Sequence, residues 1–275
     1  MPISVSSAVT LCLVPEARRG PFVFHADLPT GCARASALGF EAVEVFPRSA
    51  DEVYAAELKD ALHEHGLALA AMGTGAGALV HKWTLTDPDP ATRRRAMDFV
   101  SAIIDLAGGF GAPAIIGSMQ GNAAGPDHRD EALNWLAQAL EQLGPRAHAA
   151  GVPLLIEPLN RYESNLLNRV DHTAEWISGL KTQNVRILAD LFHMNIEEAS
   201  MGDAIRAAGE RLGHVHFADS NRQAVGRGHN PMADVVRALE EISYHGYASA
   251  EIFPLPDAEA AARQTISMFK KYFPR

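Results

Sequence analysis

A chain of 275 residues, 47% hydrophobic and 21% charged, is long enough for one large α/β core or for two ordinary domains. Its net charge of −9 supplies no broad basic footprint for a polyanion, which sets nucleic acid aside as a partner. Two cysteines outside any CxxC pair, Cys12 and Cys32, fit a reduced setting, and no apolar run approaches the roughly 18 residues that span a bilayer. With no basic segment ahead of the first short apolar run, the expected location is the cytoplasm, away from membranes.

Short apolar runs alternate with longer amphipathic ones along the chain. Strands are predicted near 3–10, 42–46, 67–72, 114–118, 153–157, 186–190, 214–218 and 248–252. Between them lie helical patterns near 28–38, 50–65, 90–108, 129–149, 173–180, 202–211, 231–242 and 257–272. Eight βα units of about 30 residues imply a parallel sheet, and that count favours a closed (β/α)8 TIM barrel over an open doubly wound sheet. No linker or low-complexity stretch interrupts the alternation, so 1–275 reads as a single domain. Asp87-Pro88-Asp89-Pro90 is a helix entry with negative charge at the dipole's positive end. Gly39, Gly66, Gly151 and Gly246 follow helical patterns and suit left-handed caps. Gly73-Thr74-Gly75-Ala76-Gly77 lacks the spacing of a phosphate-binding fingerprint and reads as a flexible loop at the barrel mouth.

Four ionisable residues stand at or near the ends of four successive predicted strands: Glu157, Asp190, His216 (inside His214-Val215-His216-Phe217) and Glu251, separated by 33, 26 and 35 residues. Any one of them alone reads as a helix cap, a loop salt-bridge partner or a half-buried strand histidine. In a barrel, however, neighbouring strands bring their ends to one rim, the face that carries chemistry. Three carboxylates meeting there would repel one another and raise their own pKa values unless a cation neutralised them. One divalent metal with three oxygen ligands and one nitrogen ligand resolves the conflict.

Glu157-Pro158-Leu159-Asn160-Arg161-Tyr162-Glu163, the run from Asp190 to Glu198, His214-Val215-His216-Phe217-Ala218-Asp219-Ser220-Asn221-Arg222 and Ala250-Glu251 resemble the xylose-isomerase-like barrel family. Within it they are most similar to ketose 3-epimerases acting on D-tagatose, D-psicose or 5-keto-L-gluconate. Met72-Gly73-Thr74-Gly75, the run from Phe110 to Gly117 and Pro254-Leu255-Pro256 draw the likeness towards the 5-keto-L-gluconate type. The resemblance implies that Glu157, Asp190, His216 and Glu251 hold the metal, manganese first, with cobalt, magnesium or zinc as alternatives. It implies further that Glu157 and Glu251 are the catalytic acid and base pair, inverting C3 of a ketose or keto-sugar acid through an enediolate. Glu163, His193 and Arg222 would then bind and orient the substrate.

The first βα loop carries Arg18, Arg19 and His25 in place of aromatic residues, and Arg227 follows the seventh strand. His25 and Arg227 are therefore candidate contacts for a substrate carboxylate or phosphate. Competing expectations are an aldose-ketose isomerase or ketose-phosphate epimerase on the same scaffold, an abasic-site endonuclease, and a metal-free sugar-binding barrel. Whether the chain acts alone or as a homo-oligomer, dimer or tetramer, is left open.

Overall fold

The computed structural model describes residues 4–274. Its strands are β1 (Ser4–Cys12), β2 (Phe24–His25), β3 (Ala42–Phe46), β4 (Ala68–Gly73), β5 (Ala114–Ile116), β6 (Leu154–Ile156), β7 (Val185–Asp190), β8 (Leu212–His216) and β9 (His245–Ala250). All pairings between them are parallel, in the order β2-β1-β3-β4-β5-β6-β7-β8-β9, and β1 pairs with β9 to close the sheet. Apart from the two-residue β2, which lies along the end of β1, this is the expected eight-stranded barrel. The predicted start of the first strand at Ile3 lies outside the described residues.

Helices α1 (Leu28–Leu38), α2 (Ala55–His65), α3 (Ala76–His81), α4 (Pro90–Gly108) and α5 (Arg129–Ala149) follow the first strands. The second half carries α6 (Val170–Ser178), α7 (Leu191–Glu197), α8 (Met201–Ala208), α9 (Met232–Glu241) and α10 (Ala258–Tyr272). None of them is long and apolar enough to cross a membrane.

Strand alternation sorts the side chains into two sets. Val9, Leu11, Val43, Val45, Ile116 and Ile187 join helix residues such as Ile103 and Leu136 in the main apolar core. Ala71, Ile115, Leu155 and Leu188 form a separate small cluster inside the barrel. They sit two residues before Gly73, Gly117, Glu157 and Asp190, so those positions share the inward face one layer higher. The core beneath the site is therefore a floor that fixes where the strand-end side chains emerge.

Local signals explain several helix ends. Asp89 accepts from the N–H groups of Ala91 and Thr92, with Pro90 as the first helical residue, and Asp27 and Asp257 cap α1 and α10 in the same way. Gly39 and Gly66 take left-handed φ values of 87° and 62° at the ends of α1 and α2, and Gly151 takes 76° beyond α5.

Three expectations need correction. Gly246 is no cap, because the positive φ after α9 falls on Ser243 and Gly246 lies inside β9. The glycine-rich segment after β4 is not a loose loop: Thr74 Oγ1 donates to the Ile115 carbonyl (2.6 Å) and Gly75 opens the short helix α3. Helix α6 begins at Val170, earlier than its apolar pattern predicts. Its first N–H is satisfied at 2.6 Å by Glu198, 28 residues away, a cap that no local reading can find.

Candidate metal centre

The last inward positions of four consecutive barrel strands build the site. Asp190 and His216 end β7 and β8, while Glu157 and Glu251 stand one residue beyond β6 and β9. His216 Nδ1 lies 3.5 Å from each of three carboxylate oxygens, Glu157 Oε1, Asp190 Oδ2 and Glu251 Oε2. One ligand atom from each of the four residues falls within 4.8 Å of all the others. All four residues are buried, none more than 6% exposed.

The donor set itself tests whether a cation fits. Glu157 Oε1, Asp190 Oδ2 and His216 Nδ1 are buried without a hydrogen-bond partner. Each such orphan costs about 1–3 kcal/mol, more when charged, so three aimed at one point suit a common partner such as a cation. Metal–ligand bonds of about 2.1 Å place neighbouring ligands about 3 Å or slightly more apart, close to the separations observed. The set of three oxygens and one nitrogen suits a hard or borderline divalent ion.

Electrostatics divide the carboxylates. Burial works to raise Asp190, but the charges of His193 and Arg222 outweigh it and hold the group below the usual carboxylate range. For Glu251 burial prevails over Arg222 and His216, pushing the carboxyl up to about 7. Burial opposes charge on His216 as well, yet the Glu44 and Glu251 carboxylates raise it well above an ordinary histidine. Glu251 and His216 therefore hold protons more readily than an ordinary carboxyl and imidazole. Cation uptake competes with those protons, so affinity is expected to rise as pH climbs through about 7, where Glu251 loses its proton. Calorimetry in buffers of different ionisation enthalpy checks this; uptake with no proton release would contradict it.

Around this centre the structure gathers the expected substrate-binding residues His193, Glu163 and Arg222. His193 Nε2 lies 3.6 Å from both Glu157 and Asp190. Its Nδ1 faces the backbone N–H of Asn160 at 3.3 Å and the Asn160 side-chain amide at 2.7 Å. Both partners are donors, so Nδ1 accepts, while Nε2 faces the Arg222 guanidinium at 3.4 Å as well as the two carboxylates. Glu163 accepts from the same amide at 2.8 Å. Asn160 is therefore the residue that orients His193, with Glu163 holding the asparagine.

Arg222 is buried with φ 55°, and its guanidinium donates to Glu251 while lying over the Phe192 ring at 4.8 Å. Buried Asp219 fixes the loop that imposes this backbone, accepting from the N–H groups of Ser220, Gly226 and Asn230 at 2.7–3.0 Å.

These groups open into a cavity of about 310 Å³. Glu157, Glu163, His193, Arg222 and Glu251 line it together with the apolar Val14, Ala17, Pro21, Phe22, Phe46 and Leu79. His25 and Arg18 line a neighbouring cavity that shares only Cys12 and Val14 with this one. Arg19 and Arg227 are exposed and line neither.

Reading the sequence alone misses Glu44, Asn160 and Asp219. Of these only Glu44 leaves a signal, a charge in the middle of the apolar run Ala42-Val43-Glu44-Val45-Phe46. Burial works to raise it, but the His216 charge and hydrogen bonds from His214 and His216 keep it ionised, below the ordinary carboxylate range.

Residues 32–272 match the family model of the xylose isomerase-like TIM barrel. The chain belongs to that family. Among relatives in this family, a D-psicose 3-epimerase of Enterocloster bolteae is 34% identical over 244 residues, covering 84% of this chain and 78% of that protein. An L-ribulose 3-epimerase of Methylomonas sp. is 30% identical, covering 87% and 82%. A crystal structure of D-allulose 3-epimerase from Methylomonas sp. superposes with a TM-score of 0.83 at 24% identity, over 98% of this chain and 99% of that one, which shows the shared barrel.

Proposed function

We propose that this barrel is a divalent-metal-dependent carbohydrate epimerase that inverts C3 of a ketose. The observation that carries the reading is the convergence of three orphaned buried ligand atoms, from Glu157, Asp190 and His216, beside a sugar-sized cavity that Glu157 and Glu251 line. Relatives named as ketose 3-epimerases across most of the chain support the reaction type. Manganese is the first choice of ion and the cytoplasm the expected location.

When bound, the cation supplies positive charge that stabilises the enediolate left as the C3 proton departs. The protein's own groups do the rest. Glu157 and Glu251 reach the cavity from β6 and β9, three strands apart in the barrel order, so they flank whatever lies between them. Each carboxylate has two oxygens, and one can hold the ion while the other takes or returns a proton. His193 and Arg222 line the same cavity, where the guanidinium places donors that stabilise developing negative charge on oxygen.

The apolar residues of the lining favour a neutral ketose over a keto-sugar acid or phosphate. Arg222 is the one cationic side chain among Arg and Lys lining this cavity in the described residues, and it is already paired with Glu251. A substrate carboxylate contact through Arg227 or His25 would require either side chain to reach a cavity it does not line.

Incubation of the manganese-loaded protein with D-psicose, L-ribulose and a keto-uronic acid in deuterated water tests the reaction. Deuterium at C3 with inversion there, abolished by a chelator, is the expected result. Label at C1 with an aldose product would replace the proposal by aldose-ketose isomerisation, and no exchange from any of them would point to a binding barrel.

A further inference from the structure

Glu44 stands in the centre of β3, fully buried, on the opposite side of the β9–β1 seam from β8. Its neighbours across the β1 and β4 pairings are Thr10 and Ala71. Those small residues leave room for the carboxylate to cross the barrel interior. There Oε1 meets His216 Nε2 at 3.0 Å and Oε2 meets His214 Nε2 at 2.6 Å. The ring planes of the two histidines stand at 85°, so one carboxylate locks two imidazoles that cannot rotate independently.

Two readings of this buried trio compete, a second cation site or a hydrogen-bonded clamp, and distance decides between them. A cation with bonds of about 2.1 Å holds neighbouring ligands at about 3 Å or more, and a 2.6 Å oxygen–nitrogen contact leaves it no room. The Glu44 carboxylate oxygens and both Nε2 atoms also have partners, whereas His216 Nδ1 has none. The two sides of the His216 ring thus differ in kind. One faces a hydrogen-bond acceptor at 3.0 Å, the other three carboxylates at 3.5 Å.

We propose that Glu44 is the positioning residue of the metal centre, holding the His216 proton on Nε2 so that a bare Nδ1 faces Glu157, Asp190 and Glu251. This rests on the metal-site reading above and extends it to a residue that touches neither ion nor substrate. A neutral imidazole donates through one nitrogen and coordinates through the other, so the acceptor at Nε2 chooses which nitrogen is the ligand. The carboxylate also makes the ring more basic and hence a stronger ligand. His214 takes the second oxygen and prevents the carboxylate from swinging away.

The test is Mn²⁺ titration calorimetry on chelator-treated full-length protein, comparing wild type, Glu44→Gln and the control Ser249→Ala, which alters a buried hydroxyl on the strand paired with β8. Glu44→Gln is expected to bind Mn²⁺ about 10–100-fold more weakly. Ser249→Ala is expected to bind like wild type. Equal affinity in wild type and Glu44→Gln would overturn the Glu44 role alone, while wild type that binds no divalent ion would overturn the metal centre as well. The histidine tautomer gives a second readout that needs no variant. Long-range proton–nitrogen NMR of Zn²⁺-loaded wild type is expected to show His216 protonated at Nε2 only. A proton on Nδ1 would refute the proposal even if Glu44→Gln failed to fold.

Discussion

Glu251→Gln is expected to lower kcat by about 10³-fold or more while leaving the fold intact. The carboxylate is nearly isosteric with the amide, and Arg222 can still donate to the amide oxygen, so packing at the end of β9 should persist. What disappears is a proton-transfer group, worth roughly 10²–10⁴ in rate, together with one negative ligand of the cation. Metal affinity should fall alongside kcat, and Glu157→Gln should show the same double loss. Circular dichroism and thermal unfolding check the fold, and single-turnover kinetics at saturating manganese separate weak metal binding from slow proton transfer. A Glu251→Gln enzyme with near wild-type kcat at saturating metal would remove this residue from the chemistry.

The second large effect is expected at a residue with no side chain. A Cβ built on Gly117 would lie 2.5 Å from Glu157 Oε2, nearer than real Cβ contacts allow. The φ there, −100°, is not left-handed, and the contact an alanine meets is the Glu157 carboxylate. The atom that must yield is the end of a flexible side chain, which makes the change cheap for folding and costly for alignment. Gly117→Ala should therefore unfold within a few degrees of wild type yet lose about 10²-fold in kcat/KM, the usual penalty for misplacing a reacting group by about 1 Å. Gly125→Ala, whose Cβ would meet nothing within 4 Å, is the control. Undiminished activity in Gly117→Ala would mean that Glu157 tolerates displacement and is not held for catalysis.

These two positions also show what the sequence reveals and what it hides. Glu157, Asp190, His216 and Glu251 were legible because each stands in or at the end of a predicted strand, one per βα unit, and because closing a barrel from repeating βα units leaves strand ends on one rim. The rim follows from local pattern plus topology. Glu44, Asn160 and Asp219 were not legible, because their roles are relations between chain segments. Glu44 acts on histidines 170 and 172 residues away, and Asn160 on one 33 residues away. Asp219 works nearer in sequence, but its task depends on a loop shape that no periodicity encodes. The same holds for the start of α6, whose cap arrives from Glu198, and for α3, where glycines that suggest looseness serve close packing instead. Arg18, Arg19, His25 and Arg227 illustrate the opposite limit. Sequence places cations on loops near the barrel mouth, but only coordinates show which of them face the cavity.

The cavity is assembled unequally from the two halves of the barrel. Everything ionisable that faces it, apart from the thiol of Cys12, comes from the segments after β6, β7, β8 and β9, and most of its apolar wall comes from those after β1, β3 and β4. The ionisable and the apolar linings are thus encoded in different stretches of the gene. Substitutions at Val14, Ala17, Phe22, Phe46 or Leu79 can reshape which sugar is admitted without disturbing a single proton-handling group. A scaffold divided in this way can diversify its diet while its chemistry stands still.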